Sequence, residues 1–423
     1  MAEDKVPRVQ EFRLNEDSEL RFEVTGDDVV VEVIEGLAEI FGTELVLHKR
    51  YTFTEGQRVA IYSWHGCKIE LVGDPEGAYV AQSTPMVIYL NTHAALQQMR
   101  VQSAKDSSRG PRLMVMGPMD VGKSTVCRVL LNYATRMGES PIFVDLDVGQ
   151  GQISIPGTIG ALFVERPADP VDGFDKRAPL VYHFGHLSPG DNVPLFRLLL
   201  NKLASVVNQK TAGSRAANVG GVIINTCGWV KGEGYSCLID AVEAFEADVV
   251  VVIDHERLYN ELQRDLPDFV RIVHQPKSGG VEERSRPQRI ASRKQRIHEY
   301  FYGTRKTSFY PHSFDMEFDE VQIYKIGAPT LPDSCMPLGM KAEDTRTRLV
   351  AVQPSRELQH HLLAVSISEV ADQDLLTTNI TGFVVVTDVD VERKLMTVLS
   401  PQPYPLPRKI LLWSEISYVD SMS

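Results

Sequence analysis

The chain has 423 residues, 43% of them hydrophobic and 24% charged. At roughly 150 residues per domain this suggests about three globular domains and argues against disorder over most of the length. Its 44 Lys and Arg against 56 Asp and Glu leave a net charge of −12, which excludes coating of nucleic acid by bulk charge and leaves only a local basic patch for such contact. The longest apolar runs, such as 249–253, fall far short of the about 20 residues that a membrane helix needs. The acidic start MAEDKVPRVQEFRLNEDSE has no apolar signal core, so neither a membrane span nor a secretory leader is expected. The five cysteines, Cys67, Cys127, Cys227, Cys237 and Cys335, never form CxxC. That usage fits a reducing compartment and disfavours a disulfide framework or a zinc ribbon.

Residues 1–103 predict an N-terminal β domain. The segments 19–24, 29–34, 51–53, 59–64, 68–73 and 78–82 are rich in Val, Ile, Phe and Tyr, and Gly, Asp and Pro separate them at short spacing. A small β-sandwich or barrel follows. The pattern turns helical from Thr84 to Arg100, and the polar stretch SAKDSSRGPR (103–112) reads as a connector. From 104 to 306 the character changes. Short apolar runs at 112–116, 141–147, 221–226, 248–254 and 270–274 alternate with helical stretches. One of these carries Val126, Val129, Leu130, Tyr133 and Met137 at helical spacing before Gly138, which suits a helix C-terminus. Strands buried on both faces and separated by helices imply an α/β core with a parallel sheet and flanking helices. The remainder, 307–423, predicts a C-terminal mixed, mostly β domain, with a hairpin at 383–400 and an extended Pro-rich segment at 401–409.

The core opens on GPMDVGKST (117–125), in which Gly117, Gly122, Lys123 and Ser124 satisfy the P-loop pattern between an expected strand and an expected helix. The glycines let backbone N–H groups converge on phosphate oxygens, and the helix N-terminus adds its positive end. Asp120, Val121 and Thr125 complete the nucleotide-binding stretch. Lys123 is expected on the β- and γ-phosphates, and the Ser124 hydroxyl on Mg²⁺. One βα unit later comes VDLDVGQGQ (144–152), where Asp145 and Asp147 alternate at an apolar strand's carboxyl end, the position where α/β sheets hold ligands. Carboxylates there can hold Mg²⁺ directly or through water, or accept a proton from an attacking hydroxyl. Gly149 and Gly151 leave room for a polymer backbone.

From Lys277 to Lys306 nine Lys or Arg stand against three Glu. Arg289 and Arg293, four apart, and Arg296, three further on, share a helical face, and Ser278-Gly279-Gly280 forms a hinge before them. Beside a P-loop this predicts a lid that brings guanidinium groups onto the γ-phosphoryl group. NTCGW (225–229) ends another apolar strand, and Trp229 there could stack on a base or ribose. The histidines form no metal pattern, no G-x-G-x-x-G suggests a dinucleotide fold, and no N-K-x-D suggests a GTPase.

These motifs, in this order, resemble the polyribonucleotide 5′-hydroxyl kinase family, a kinase that is a subunit of pre-mRNA cleavage factor II and an associate of the tRNA splicing endonuclease. EIFGTEL (39–45), YLNTHAALQQM (89–99), IPGTIGAL (155–162), RPAD (166–169), KSGGV (277–281), EYFYG (299–303) and GAPTLPDSC (327–335) extend the resemblance over essentially the whole chain. It implies transfer of the ATP γ-phosphate to the 5′-hydroxyl of RNA with ATP and Mg²⁺ as cofactors. By motif match, Lys123 and Ser124 take the phosphate and metal roles, and Asp147 is the carboxylate that activates the hydroxyl and a second metal-side residue. Arg289 and Arg293 match the catalytic lid, with Arg284 and Arg296 beside them. Gln150, Gly151, Thr226, Gly228 and Trp229 match the RNA-gripping set. Met119 stands where many relatives carry a smaller polar residue, with little effect expected because backbone N–H groups do the cradling.

The resemblance further implies RNA with a 5′-hydroxyl end, cleavage factor subunits and tRNA splicing endonuclease subunits as partners, no membrane, and a nuclear location for which the sequence shows no clear basic import tract. The competing expectation is a catalytically silent, ATP-bound scaffold of an mRNA 3′-end cleavage complex. The net charge of −12 favours RNA held at its 5′ end over a few nucleotides, with a shallow salt dependence.

Overall fold

The computed structural model describes residues 8–328 and 345–419. Most of the family segment GAPTLPDSC, Cys335 included, lies outside the described residues. The first body is a β-sandwich. One sheet runs in the order Val9–Leu14, Cys67–Val72, Val29–Gly36, Arg50–Phe53; the other runs Thr43–Glu44, Glu39–Ile40, Arg58–Ser63, Ser18–Glu23, Glu76–Ala81. The alternation expected of half-buried strands is present: Val29, Val31 and Val33 point inward with Ile69 and Leu71, while Val30 and Glu32 stay half-exposed. Three strands escape the sequence pattern. Val9–Leu14 lies in the charged N-terminal stretch, and Glu39–Ile40 and Thr43–Glu44 are two-residue strands inside EIFGTEL.

The helix after the sandwich runs from Met86 to Asp106, into the stretch expected to be a connector. Its polar residues hold it there by tertiary contacts. Buried Arg100 donates through Nε to the Gly220 carbonyl at 3.0 Å, and buried Ser103 donates to the Ser108 carbonyl at 2.7 Å. Met86, Tyr89 and Leu96 join the apolar layer that also holds Val126, Val129 and Leu130 of the next helix. The helix thereby covers one face of the central sheet.

That sheet has the order Leu180–His183, Thr158–Phe163, Ile142–Asp145, Val222–Asn225, Arg112–Met116, Val249–Ile253, Arg271–Gln275. The five strands from Ile142–Asp145 to Arg271–Gln275 are parallel, and 112–116, 142–145, 222–225 and 249–253 are buried throughout. The expectation of a parallel sheet needs one correction. Thr158–Phe163 and Leu180–His183 add to one edge antiparallel, so the sheet is mixed. The connection that returns the chain beside Ile142–Asp145 carries no crossover helix, and without one the neighbour must run antiparallel. The helix Lys123–Arg136 ends as expected, with Gly138 at φ +83° just past Met137.

The third body is a seven-stranded sheet. The expected hairpin is present as Ile380–Asp390 paired antiparallel with Leu395–Ser400. Its last strand, Ile410–Ser417, docks on the core: Glu415 N–H donates to the Gly185 carbonyl at 3.0 Å, and His183 Nε2 lies 3.3 Å from the Trp413 carbonyl. His361 sits 2.9 Å from the Ser414 carbonyl within that sheet. The four described cysteines are free, and no helix among the described residues is long and apolar enough to cross a membrane.

Candidate active site

The strand Arg112–Met116 is central and wholly buried, so the loop after it is aimed at the sheet's carboxyl edge. Gly117 has φ +149°, and a Cβ there would sit 2.7 Å from the Ile253 carbonyl oxygen. Gly122, at φ +90°, precedes the helix that begins at Lys123. Lys123 is only 7% exposed. Its Nζ donates to the carbonyls of Gly117 (2.9 Å) and Pro118 (2.6 Å), so the ammonium lies curled inside its own loop. Burial pushes its pKa down, and the Asp147 carboxylate opposes that push.

The second acidic element is built differently from the expected alternation. The strand ends at Asp145 and the chain turns at once, which buries Asp145 (3% exposed) and leaves Asp147 on the cleft wall. Asp145 organises that turn. Its oxygens accept from the N–H of Asp147 (3.1 Å) and of Gln152 (2.6 Å) and from Asn225 Nδ2 (3.0 Å). Asp147 Oδ1 accepts from the N–H groups of Gly149 (3.0 Å) and Gln150 (3.1 Å). Burial and the neighbouring Asp147 raise the Asp145 pKa to about 6. Burial also raises that of Asp147, with Lys123 and the two turn N–H groups pulling the other way.

One cleft of about 2630 Å³ gathers these groups. Its floor is Met119–Thr125. Asp147, Gly149 and Gln150 form one wall, Cys227, Gly228 and Trp229 another, and Arg284, Arg289, Arg293 and Arg296 line the lid side. The N-terminal sandwich contributes Arg21, Phe41, Arg58 and Tyr62. Of the expected RNA-gripping residues, Gln150, Gly228 and Trp229 reach the cleft, but Gly151 and Thr226 do not line it. Thr226 is 1% exposed and donates its hydroxyl to the Val115 carbonyl at 2.9 Å. Gly151 lies under the acidic turn, where a Cβ would come within 2.8 Å of the Asp147 carbonyl oxygen. Both support the wall from behind, Thr226 against the P-loop strand and Gly151 beneath the turn. Gly228 packs on the P-loop, since a Cβ there would meet Met119 Cγ at 2.5 Å. Trp229 packs on Gly190 and Gly234 and stays half-buried.

The lid helix, Arg286–Tyr302, begins in a capping box between Ser285 and Gln288, with Pro287 in its first turn. Arg284 donates to Asp120 from its backbone N–H (3.1 Å) and from Nε (3.2 Å), and Arg289 pairs with the same carboxylate. Burial pushes the Asp120 pKa up, but Arg289 and Arg284 outweigh it and hold the carboxyl below its ordinary value. Arg293 is unpaired by any carboxylate among the described residues, and burial followed by neighbouring Arg289 and Arg286 lowers its pKa. The lid also touches the sandwich. Arg58 Nη1 donates to the Glu282 carbonyl at 3.3 Å, and Gly280 lies so near Arg21 that a Cβ would come within 2.8 Å of its Nε.

Sequence reasoning misses Asn225 and the bracing of the lid by Asp120; the resemblance implies that the N-terminal domain helps hold the adenine, but no motif assigns the sandwich residues that face the cleft. The one available signal is that Asn225 opens the motif NTCGW at the end of an apolar strand.

Three family descriptions match the chain in sequence: the N-terminal β-sandwich domain of polyadenylation factor at 13–103, the mRNA cleavage and polyadenylation factor CLP1 P-loop at 117–303, and pre-mRNA cleavage complex II protein Clp1 at 309–420. The chain is 60% identical over 417 residues to the protein CLP1 homolog of Brugia malayi, covering 97% of this chain and 96% of that one. It is 56% identical over 419 residues to the human polyribonucleotide 5′-hydroxyl-kinase Clp1, covering 99% and 98%. Among solved structures it is similar to wild-type Clp1p in complex with Pcf11p (454–563), with a TM-score of 0.86, 22% identity and coverage of 98% and 99%; at that identity the likeness concerns the fold.

Proposed function

The chain belongs to the Clp1 family of polyribonucleotide 5′-hydroxyl kinases, and from that premise we propose how this cleft moves the γ-phosphate of ATP to the 5′-hydroxyl of RNA. The observation that carries the reading is the convergence of Lys123, Ser124, Asp147 and the lid arginines with the Trp229 wall on a single cavity. The P-loop N–H groups and Lys123 take the β- and γ-phosphates. Lys123 exchanges a loop carbonyl for a phosphate oxygen as it does so. Arg289 and Arg293 lie across the cleft and stabilise the charge that spreads over the equatorial oxygens. The RNA 5′-oxygen attacks the γ-phosphorus, Asp147 accepts the hydroxyl proton, and the bond from the γ-phosphorus to the bridging β,γ-oxygen breaks to leave ADP.

The residues present suit magnesium. Ser124 offers a hydroxyl and Asp147 a carboxylate on the cleft wall, and no cluster of three or more His, Cys, Asp or Glu competes for a metal among the described residues. Ser124 and Asp147 would hold magnesium, which would supply neutralisation of the phosphate charge.

The RNA lies over the Gln150, Gly228 and Trp229 side. Removing the stacking surface with Trp229→Ala should raise the KM for RNA by about tenfold, within the roughly 1–3 kcal/mol that one stacked base contributes. ADP affinity should not change. Steady-state kinetics with a 5′-hydroxyl oligoribonucleotide read the first quantity and calorimetry the second; an unchanged RNA KM would remove Trp229 from the RNA path. The function itself is tested by incubating the protein with Mg-ATP and that oligoribonucleotide, which should yield ADP and a 5′-phosphorylated strand. ATP retained without turnover would favour the scaffold reading.

The solved Clp1p neighbour is a complex with a Pcf11p segment, which supports a cleavage factor subunit as a partner of this chain. We extend the proposal to tRNA splicing endonuclease subunits and to nuclear residence.

A further inference from the structure

Asn225 ends the strand Val222–Asn225, in register with Val115 of the P-loop strand on one side and with Asp145 on the other. It is 1% exposed. Its Nδ2 donates to Asp145 Oδ1 at 3.0 Å and lies 3.3 Å from Ser124 Oγ. One amide nitrogen therefore ties the P-loop hydroxyl to the carboxylate that organises the acidic turn. Its other end is the informative one. Asn225 Oδ1 is buried and has no hydrogen-bond partner.

A buried amide oxygen without a donor is uncommon and costly. The two side chains that the amide contacts present only oxygens, Ser124 Oγ and the Asp145 carboxylate, and the single Ser124 proton is the one hydrogen between them. A donor that arrives with what binds would satisfy it. A water in the shell of a divalent cation has the required character, since the metal takes its lone pair and leaves two polarised protons to give away. A phosphate oxygen, an acceptor, cannot fill the role.

We infer that Asn225 is a positioning residue for the metal–nucleotide complex: its nitrogen fixes Ser124 against Asp145, and its free oxygen accepts a hydrogen bond from a cation-bound water. The inference rests on the reading that the cleft takes a magnesium nucleotide, and it adds a residue that touches neither nucleotide nor RNA. Outer partners of this kind alter metal affinity by about 10- to 100-fold when removed.

The test uses the full chain, a fluorescent ADP analogue and Mn²⁺ followed by electron paramagnetic resonance. Wild type should bind the analogue in EDTA and bind it more tightly as the metal is added. Asn225→Ala should keep the metal-free affinity within about twofold, which also reports an intact fold. Its half-saturating Mn²⁺ concentration should rise by about 10- to 100-fold. If alanine unfolds the chain, Asn225→Ser carries the same comparison with the same expected shift. An unchanged Mn²⁺ half-saturation overturns the inference, and so does an equal loss of metal-free and metal-dependent binding, which marks a merely structural residue. Failure of wild type to bind the analogue at all would instead overturn the nucleotide reading on which the inference stands.

Discussion

Lys123→Ala should lower phosphoryl transfer by about 10³-fold, the upper range for removing one preorganised donor from a developing anion. The size follows from the lysine's surroundings. The ammonium is 7% exposed, sits among loop carbonyls, and has Asp147 as its main opposing charge. It is the one cation of the Met119–Thr125 floor, since the lid arginines line the opposite side of the cleft. A water molecule cannot replace it at the γ-phosphate. Rates measured by transfer of labelled phosphate to a 5′-hydroxyl oligoribonucleotide, with circular dichroism to verify the fold, would settle the size of the effect. A loss of less than about tenfold would place the β,γ-phosphates away from Lys123.

Asp147→Asn should reduce kcat by about 10²- to 10⁴-fold, the range for loss of a positioned general base, while the KM for ATP stays within a few-fold. The substitution is isosteric, and the amide oxygen it introduces can still accept from Gly149 and Gln150, whose N–H groups now hold the carboxylate. The capacity to take the hydroxyl proton disappears, and the side chain's negative charge toward magnesium goes with it, so the rate is compared at saturating Mg²⁺. The same pair sets the acid limb of the pH profile. Burial raises both carboxyls, Asp145 to about 6 and Asp147 in the same direction. A raised pKa means that the proton returns at a higher pH than for an exposed aspartate, so as pH drops kcat/KM should begin to fall above the ordinary carboxylate range. An acid limb near the ordinary carboxylate range, about 4, would show that burial does not raise the essential carboxyl in the free enzyme. In Asp147→Asn the residual rate should lose most of this dependence.

The parts of this site that can be read from the chain alone are those whose chemistry is local. GPMDVGKST specifies its own strand–turn–helix geometry through its glycines, and the lid helix declares itself by Arg289 and Arg293 at i,i+4 behind the Ser278-Gly279-Gly280 hinge. What escapes depends on strand order. Asp145 and Asp147 look equivalent two residues apart, yet the strand stops at Asp145, so one carboxylate organises the turn and the other faces the cleft. Thr226 and Trp229 share a motif, but Thr226 is buried against Val115 while Trp229 lines the cleft. Asn225 matters because its strand lies between Ile142–Asp145 and Arg112–Met116, an arrangement that no linear spacing encodes. Asp120 reads as one more P-loop residue, and only the folded lid places Arg284 and Arg289 upon it.

One edge of the sheet misleads for a related reason. Thr158–Phe163 and Leu180–His183 are as apolar as the parallel strands, and direction is not written in hydrophobicity. The helix Met86–Asp106 outruns its expected end because Arg100 and Ser103, polar by composition, are buried by contacts that the local pattern does not announce.

If one cleft carries the triphosphate and the RNA end together, bound ATP can react without first leaving it. Isotope trapping tests this directly: the protein is loaded with Mg²⁺ and γ-labelled ATP, then mixed at once with 5′-hydroxyl oligoribonucleotide and a large excess of unlabelled ATP. A substantial share of the bound label should appear on the RNA 5′ end in the first turnover, and Asp147→Asn should abolish this transfer. Full dilution of the label into free ATP would report only a nucleotide that leaves faster than it reacts; label released as inorganic phosphate with none on the RNA would contradict the shared cleft.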